Sequence, residues 1–265
     1  MSSNRLWMRA ALLSVLAGAV LVGIGIGLGG TYYDGYGIHQ GMHEENDYHS
    51  IELQAFSDLD VDLEYGDIHI QQGDEWRLIA ENLPEDQYHL EQTDDKLTLK
   101  TYQDSNFSLI HLGIMESPAH VTLIVPKDCE LSQVTIHSAL GDVELEDFKA
   151  DTVDVEQAMG DIRISDVWTE TMNLEQAMGD VTYDGEHPGN LNVDNAMGDI
   201  EVIIEDSKDQ YRYECTTAMG SIKAAGQKEG GPSAKLQAGS ADAPYHLRLD
   251  NDMGDIELEF ENDWD

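Results

Sequence analysis

The fold is decided by the stretch Val153-Asp-Val-Glu-Gln-Ala-Met-Gly160-Asp-Ile-Arg-Ile164, which recurs in the next part of the chain as Met172-Asn-Leu-Glu-Gln-Ala-Met-Gly179-Asp-Val-Thr-Tyr183. Apolar and polar residues alternate on both sides of the glycine, which is the period of a β-strand. Gly tolerates the positive φ of a tight bend, and Asp can hydrogen-bond within its own turn. Each stretch therefore predicts two strands joined at a Gly-Asp corner.

The same unit occurs six times. The first four corner glycines are evenly spaced, and the last two follow at longer intervals. They are Gly141, Gly160, Gly179, Gly198, Gly220 and Gly254. Such self-similarity is the signature of a repeat architecture.

An antiparallel meander is the alternative arrangement of these strands. Identical residues at identical positions have a packing reason only if successive units stack in register, as in a parallel solenoid. One position holds methionine in five units: Met159, Met178, Met197, Met219 and Met253. This recurrence favours the solenoid.

We therefore predict an all-β fold, a parallel β-solenoid of the right-handed β-helix or β-roll type, over residues 134–262. Its units are expected to stack in chain order. Residues 51–133 carry less regular β signals, with Gly66-Asp67 as a degenerate unit. We expect this region to form an N-terminal β cap, because an open parallel edge invites aggregation.

Strand alternation places two repeated positions inside the solenoid. One is the methionine position, where a soft side chain would fill a corner of the core. The other holds polar side chains, whose stacked amides can hydrogen-bond from coil to coil. Its members are Ser138, Gln157, Gln176, Asn195, Thr217 and Asn251.

The N-terminal segment predicts a single transmembrane helix. Arg5 and Arg9 precede an uncharged, apolar run that extends from Ala10 to Gly30. At about 1.5 Å per residue this run spans a bilayer core of about 30 Å. Because both flanking basic residues are N-terminal, residues 1–9 are expected in the cytoplasm. Everything after the span would be an extracellular ectodomain at the cell membrane, joined by a juxtamembrane linker at residues 31–50.

A cleaved signal peptide is the alternative for the same segment. Gly27 and Gly29 form a small-x-small pattern before Gly30, which resembles a cleavage site. The apolar run is long for the hydrophobic region of a signal peptide, and this length favours a retained anchor.

The charge of the chain restricts its partners. Its 265 residues include 53 acidic and 14 basic ones, for a formal net charge of −39. This charge excludes nucleic acid as a natural partner and argues against docking on anionic lipid, because phosphates would be repelled. The charge is compatible with a cationic partner, or with an anionic one bridged by a divalent metal. Hydrophobic residues make up 41% of the chain, enough to fill a core, which argues against a disordered acidic protein.

The two cysteines, Cys129 and Cys215, are predicted to be unpaired. Stacking in chain order separates them by four coils, or about 19 Å at about 4.8 Å per coil. Bridged cysteines have Cα atoms within about 7 Å of each other. We therefore expect two thiols, with Cys215 buried.

The repeated Gly-Asp-(Val/Ile) turns, the opening "VDLEYGDIHIQQGDEW" from Val61, the strand "HVTLIVPKD" from His120 and the anchor before them resemble the bacterial DUF4097 family. The resemblance covers roughly residues 51–259. The family is described as adhesin-like and rich in β-strand repeats, which implies the same fold. Some of its members resemble components of envelope-stress systems in Gram-positive bacteria. It supplies no catalytic residues to carry over.

The Gly-Asp corners predict a column of carboxylates formed by Asp142, Asp161, Asp180 and Asp199, with Ser221 interrupting it before Asp255. At about 4.8 Å apart, two such charges repel by about 0.9 kcal/mol even in bulk water. Turn amides and counterions are one way to offset this repulsion. Calcium between coils is the other, because two Ca–O bonds of about 2.4 Å span the gap.

A second acidic feature is expected on the outer surface of the coils. Glu156, Glu175 and Asp194 form one row, and Asp154 begins another. Such a row is either a solvated surface or a binding face for a cationic ligand, such as a cationic peptide or an amine-bearing cell-wall polymer.

An enzyme is not expected. The sequence contains no Gly-x-Ser-x-Gly, no His-Glu-x-x-His and no Gly-rich phosphate loop. Two functions follow from the remaining features. The first is an adhesin-like, membrane-anchored binding module. The second is an accessory protein of an envelope-stress response that senses or sequesters cationic agents and contacts a membrane protein partner.

Overall fold

The computed structural model describes residues 48–102 and 118–261. These residues are all-β, with two short 3₁₀ helices at Glu85–Gln87 and Lys208–Gln210. Their strands form two large, mostly parallel sheets of 11 and 10 strands, here called sheet I and sheet II. The predicted anchor at residues 10–30 lies outside the described residues. Within the described ranges, no helix has the length and apolar character needed to cross a membrane.

The strands are numbered in chain order. Sheet I contains β1 (Tyr48–Glu52), β3 (Asp67–Gly73), β4 (Arg77–Glu81), β7 (His120–Pro126), β9 (Val143–Glu146), β11 (Ile162–Ser165), β13 (Val181–Gly185), β15 (Ile200–Ile204), β17 (Ser221–Ala224), β18 (Gln227–Gly230) and β21 (Ile256–Phe260). Sheet II contains β2 (Asp58–Leu63), β5 (Tyr88–Gln92), β6 (Lys96–Thr101), β8 (Glu130–Ser138), β10 (Lys149–Met159), β12 (Trp168–Met178), β14 (Asn190–Met197), β16 (Tyr211–Met219), β19 (Ala234–Ala238) and β20 (Tyr245–Met253).

Each repeat forms one coil, with a longer strand in sheet II, a Gly-Asp corner and a shorter strand in sheet I. Successive coils pair in parallel and in register, so that Val155 faces Leu174 in sheet II and Ile162 faces Val181 in sheet I. These four side chains are 0% exposed. The parallel, in-register stacking predicted from the repeat is therefore confirmed, and the core is the space between the two sheets.

The order of the coils differs from the chain order at both ends of the stack. Strand β20 lies between β14 and β16, with parallel pairing to both. The repeat at residues 247–258 is thus an interior coil, and the repeat at residues 213–224 is the terminal one. At the other end, β2 and β3 lie inside and β6 and β7 outside. The expected stacking in chain order is wrong here, because the long interval between Gly220 and Gly254 lets the chain cross the terminal coil and return beneath it.

Antiparallel strands close both ends of the stack. β4 pairs with β7, β1 with β4, and β5 with β6 at one end. β18 pairs with β17 and β19 with β16 at the other. The parallel coils already begin at β2 and β3, inside the region that the sequence analysis assigns to the cap. The degenerate Gly66-Asp67 unit is therefore a full coil.

The two cysteines are unpaired, as predicted. Cys215 is 0% exposed and shares a core column with Leu249, Val193 and Leu174. Because the coil containing β20 and β21 is inserted, five coil steps rather than four separate it from the coil that follows Cys129. The extra step strengthens the argument against a disulfide.

Candidate functional site

The methionine position forms a continuous column along the Gly-Asp corner, but it does not lie in the core. Met159 pairs with Met178, and Met253 pairs with both Met197 and Met219. Met159 is 38% exposed and Met219 is 58% exposed, so the prediction of an interior filler is wrong. The alternation ends at the buried Gln157 and its counterparts, whose side chains occupy the inside of the corner and leave the next residues to turn outward.

Carboxylates at the same corner are linked to the backbone of the next coil. Oδ1 of Asp142 accepts the N–H of Asp161 at 2.9 Å, Oδ1 of Asp161 accepts that of Asp180 at 3.0 Å, and the series continues. The remaining links are Asp67 to Asp142 at 2.8 Å, Asp180 to Asp199 at 2.8 Å, Asp199 to Asp255 at 2.8 Å, and Asp255 to Ser221 at 2.7 Å. The four predicted residues are thus brought together in one ladder.

Ser221 terminates this ladder and does not interrupt it. It belongs to the terminal coil, so no further Gly-Asp corner follows whose N–H would need an acceptor. Ser221 comes before Asp255 in the sequence, so it was expected to lie within the column. In the fold, the coil of Ser221 lies beyond the coil of Asp255. The residue change therefore marks the physical end of the stack.

Glycine is required at these corners because successive backbones touch. Gly179 has φ +136°, and a Cβ placed there would lie 1.8 Å from the carbonyl oxygen of Gly160. The buried polar side chains complete the corner from inside, since Asn195 Nδ2 donates to the Gly179 carbonyl at 3.1 Å and Asn251 Nδ2 to that of Gly198 at 2.7 Å. The amides thus bond from coil to coil, but to backbone carbonyls. The expected amide-to-amide ladder is not formed at Gln157, Gln176 and Asn251, whose amide oxygens accept no hydrogen bond within the described residues.

These contacts bear on the calcium interpretation. Among residues 48–102 and 118–261, no group of three or more His, Cys, Asp or Glu side chains is arranged to hold a metal ion. Arg163 also donates to Oδ2 of Asp142 at 3.1 Å and to Oδ2 of Asp161 at 2.5 Å. The backbone N–H groups and this guanidinium offset part of the repulsion between the carboxylates. Calcium between the coils stays the alternative to these contacts.

The acidic row on sheet II is also assembled as the repeat predicts. Glu156 faces Glu175, Glu175 faces Asp194, and Asp194 faces Asp250 in parallel neighbours. We call these four residues together with Asp154 the acidic face. In the adjacent row, Asn173 Nδ2 donates to Oδ1 of Asp154 at 2.7 Å.

A histidine and an arginine flank the acidic face at its two ends. His137 Nδ1 lies 3.3 Å from Oε2 of Glu156 at one end. Arg248 pairs with Asp250 at the other end. Between these ends, Glu175 and Asp194 stand side by side in neighbouring strands.

A pocket that the sequence analysis did not predict lies at the second corner, where the chain passes from sheet I back to sheet II. Its volume is about 390 Å³. We call it the corner pocket, and its lining residues are Trp168, Glu186, His187, Glu205 and Asp206.

An aromatic stack forms the floor of the corner pocket. Trp168 and His187 stack with ring centroids 5.2 Å apart, and Tyr245 meets His187 edge-on at 4.6 Å. His187 Nδ1 lies 3.4 Å from Oδ2 of Asp206, and the Tyr211 hydroxyl donates to the same oxygen at 3.4 Å. Trp168 and His187 occupy equivalent positions of successive units, so the repeat spacing alone could have indicated this stack.

The electrostatics of the corner pocket reflect its crowded carboxylates. Partial desolvation, and then the charge of Asp166, raise the pKa of Glu205 above its usual value. Burial, and then the nearby Asp206, raise the pKa of Tyr211, so its hydroxyl stays protonated as a donor. The pocket therefore presents negative charge beside an aromatic surface, an arrangement suited to an ammonium or guanidinium group.

Solved structures resemble this chain at low sequence identity. A candidate cell adhesion protein from Clostridium sporogenes is 12% identical, with a TM-score of 0.51, over 82% of this chain and 100% of its own. A candidate adhesin from Bacteroides fragilis is 13% identical, with a TM-score of 0.36, over 81% of this chain and 97% of its own. At 12% identity the likeness to the Clostridium sporogenes structure shows the fold alone.

A comparison with curated proteins gives no match. The sequence profile of one family, by contrast, matches residues 58–259, which include the parallel coils and the antiparallel end strands except β1. The resemblance stated from the Gly-Asp turns is thereby confirmed. The chain belongs to the Toastrack DUF4097 family.

Proposed function

We propose that the chain is a non-enzymatic binding module, held at the cell membrane by its N-terminal segment, whose acidic face binds a cationic partner outside the cell. The observation that carries the proposal is the in-register column of Glu156, Glu175, Asp194 and Asp250 on four adjacent strands of sheet II. The pairing fixes their order and spacing on a rigid scaffold.

The column has an electrostatic reason to attract cations. Adjacent carboxylates about 4.8 Å apart repel by about 0.9 kcal/mol even at the dielectric constant of water. A ligand with several positive charges relieves this repulsion at several coils at once. The net charge of −39 adds a long-range field that steers such a ligand toward the surface.

The spacing of the column favours an extended ligand over a small ion. Four carboxylates on neighbouring strands span about 14 Å along the stack. A cationic peptide or an amine-bearing wall polymer lying along the stack axis would meet one carboxylate at each coil. The column crosses the strands of sheet II, where Glu156 is exposed and Glu175, Asp194 and Asp250 are partly exposed.

The corner pocket supports the same class of ligand. Trp168 is the first residue of β12, the strand that also carries Glu175. Seven residues, or about 23 Å of strand, separate Trp168 from Glu175, so a ligand on the acidic face reaches the pocket only with a segment that runs along the strands of sheet II. Aromatic and carboxylate groups together suit an ammonium or guanidinium group.

An adhesive role is the form of this function that one solved relative supports. The structure from Clostridium sporogenes is described as a candidate cell adhesion protein. An accessory role in a Gram-positive envelope-stress response is the alternative. Crosslinking of the full chain in cells separates the two, because a regulatory membrane protein among the products favours the alternative and a wall or host ligand favours adhesion.

The binding experiment uses the full chain in detergent with a fluorescent oligolysine, and with an oligoserine of equal length as the neutral probe. We expect salt-sensitive binding of oligolysine only. A triple variant, Glu156→Gln, Glu175→Gln and Asp194→Asn, should lose about tenfold in affinity, since each exposed ion pair contributes about 0.5 kcal/mol.

A matched control removes three charges elsewhere. Glu144→Gln, Glu201→Gln and Glu229→Gln lie on β9, β15 and β18 of sheet I and change the net charge equally. This variant should keep most of the affinity. Equal losses in the two triple variants would show that only the net charge matters, and the proposed face would be abandoned.

A further inference from the structure

The methionine column, in stack order Met159, Met178, Met197, Met253 and Met219, has no part in the function proposed above. It runs without a break through five adjacent coils. Its side chains stand at the outer side of the Gly-Asp corner, where two of them are 38% and 58% exposed. The recurrence of sulfur-containing side chains at a partly exposed position needs a chemical explanation.

Packing does not explain the choice of methionine. The preceding coil has Leu140 immediately before its corner glycine, so the corner accepts an ordinary apolar side chain. The core columns of the same coils vary freely, as at Val153, Met172 and Leu191. This exposed apolar column is thus more uniform than the core columns, and what its members share is a thioether.

Thioether sulfur is a soft ligand that selects soft cations, Cu(I) in particular. A bond between a first-row metal and sulfur is about 2.3 Å long, so two opposed bonds span about 4.6 Å. Neighbouring parallel strands are about 4.8 Å apart. We propose that the methionine column binds Cu(I), or the chemically similar Ag(I), between the thioethers of successive coils.

The surroundings of the column favour a cation. In four of these coils an Asp follows the methionine and the corner glycine, as Asp180 follows Met178. Oδ1 of each of these carboxylates is held by a backbone N–H of the next coil, so the carboxylates supply nearby negative charge while the sulfurs supply the bonds. Three rotatable bonds let each thioether adjust to the ion.

The thiols of the chain are the competing soft ligands. Cys215 is 0% exposed, and burial raises its pKa to about 12, so it is neither accessible nor ionised near neutral pH. Cys129 is partly buried, and desolvation raises its pKa as well. Replacing Cys129 by Ser removes the accessible thiol and leaves the methionine column intact.

The test is a competition titration of the full chain carrying Cys129→Ser, in detergent and without oxygen, with Cu(I) held by a chromogenic chelator. We expect binding, and X-ray absorption with sulfur as the main ligand of the copper. Adding Met178→Leu and Met197→Leu should weaken the binding by at least about tenfold. Losing a residue that only hydrogen-bonds to a metal ligand already costs about that much, and these two changes remove the ligands themselves. Met172→Leu is the control, because Met172 is buried in the core at 0% exposure.

Three outcomes would overturn the proposal. They are binding that survives the double methionine change, copper coordinated by oxygen or nitrogen, and binding lost with Cys129→Ser alone. Circular dichroism of each variant verifies the fold. The double variant should still bind oligolysine, so failure of the metal site and failure of the acidic face are distinguishable.

Discussion

The two corners of each coil follow opposite rules. At the Gly-Asp corner, the same two residues, Gly and Asp, join the strands of four coils. These coils are β10 with β11, β12 with β13, β14 with β15, and β20 with β21. At the second corner, the connection from β13 to β14 is longer than the one from β11 to β12, and the connection from β15 to β16 is longer still. The uniform corner sets the register of the stack, and the variable corner is where a pocket has room to form.

The largest effect is expected at the uniform corner. Gly179→Ala places a Cβ 1.8 Å from the Gly160 carbonyl oxygen at a φ of +136°, so the two coils must separate. Positive φ alone costs about 1–3 kcal/mol, and the clash adds to it. Urea denaturation should show a loss of at least about 3 kcal/mol or no folded protein. Gly230→Ala is the control, with its nearest contact at 3.8 Å; an equal loss there would contradict the explanation.

The next effect concerns the carboxylate ladder. Asp180→Ala leaves the N–H of Asp199 without the acceptor that now lies 2.8 Å away. Because Asp180 and Asp199 are exposed, water can replace the lost acceptor, and the free energy of unfolding should fall by the net value of one hydrogen bond, about 0.5–1.5 kcal/mol. Ser221→Ala at the end of the ladder should cost less than about 0.5 kcal/mol, since its side chain supports no further coil. Similar losses in both variants would show that the ladder does not end at Ser221.

A smaller effect is expected at the variable corner. Trp168→Leu removes the stack with His187, whose ring centroid is 5.2 Å from that of Trp168. Aromatic pairs contribute about 0.5–1.5 kcal/mol beyond the area they bury. Thermal unfolding should therefore show a modest loss of stability, while binding of oligolysine weakens further through the pocket. Unchanged binding would remove the pocket from the proposed function.

The pKa values of Glu205 and Glu259 are shifted in opposite directions, so replacing these residues should change the stability in opposite directions. The folded pKa of Glu205 is raised by desolvation and Asp166, so its ionised form destabilises the fold. Glu205→Gln should stabilise the protein at neutral pH, and the gain should vanish as the pH falls through the carboxyl range. The hydrogen bond from Lys223 lowers the pKa of Glu259. Glu259→Gln should destabilise at neutral pH, with the loss vanishing in acid. The same sign in both variants would refute this account.

Chelation is expected to have the smallest effect. Because backbone N–H groups already hold the carboxylates of the ladder, EDTA should leave the melting temperature unchanged. A fall of many degrees, restored by added calcium, would instead establish calcium between the coils. The measurement compares the full chain with its Asp180→Ala variant, which removes one carboxylate of the predicted site.

The repeat spacing was sufficient for the parallel register, the Asp ladder and the acidic row, because each depends on residues one unit apart. It failed where the local backbone departs from strand geometry. Strict alternation predicted Met159 to be buried, whereas the chain turns outward as it enters the glycine corner. The repeat spacing could have paired Trp168 with His187, but it did not indicate a pocket there, because the connections at this corner differ in length from coil to coil. The packing of Tyr245 against His187 depends on the exchanged order of the last coils, which no spacing reveals.

The exchanged coil order also has a consequence for biosynthesis. β20 and β21 are the last strands of the described chain, yet they lie between two coils that are made before them. Until those strands leave the ribosome, β14 and β15 have no neighbour on one side, and the closing coil has nowhere to dock. A chain released too early would thus carry two open edges, which proteases and chaperones can recognise. Closure of the stack therefore has to wait for the last of the described strands.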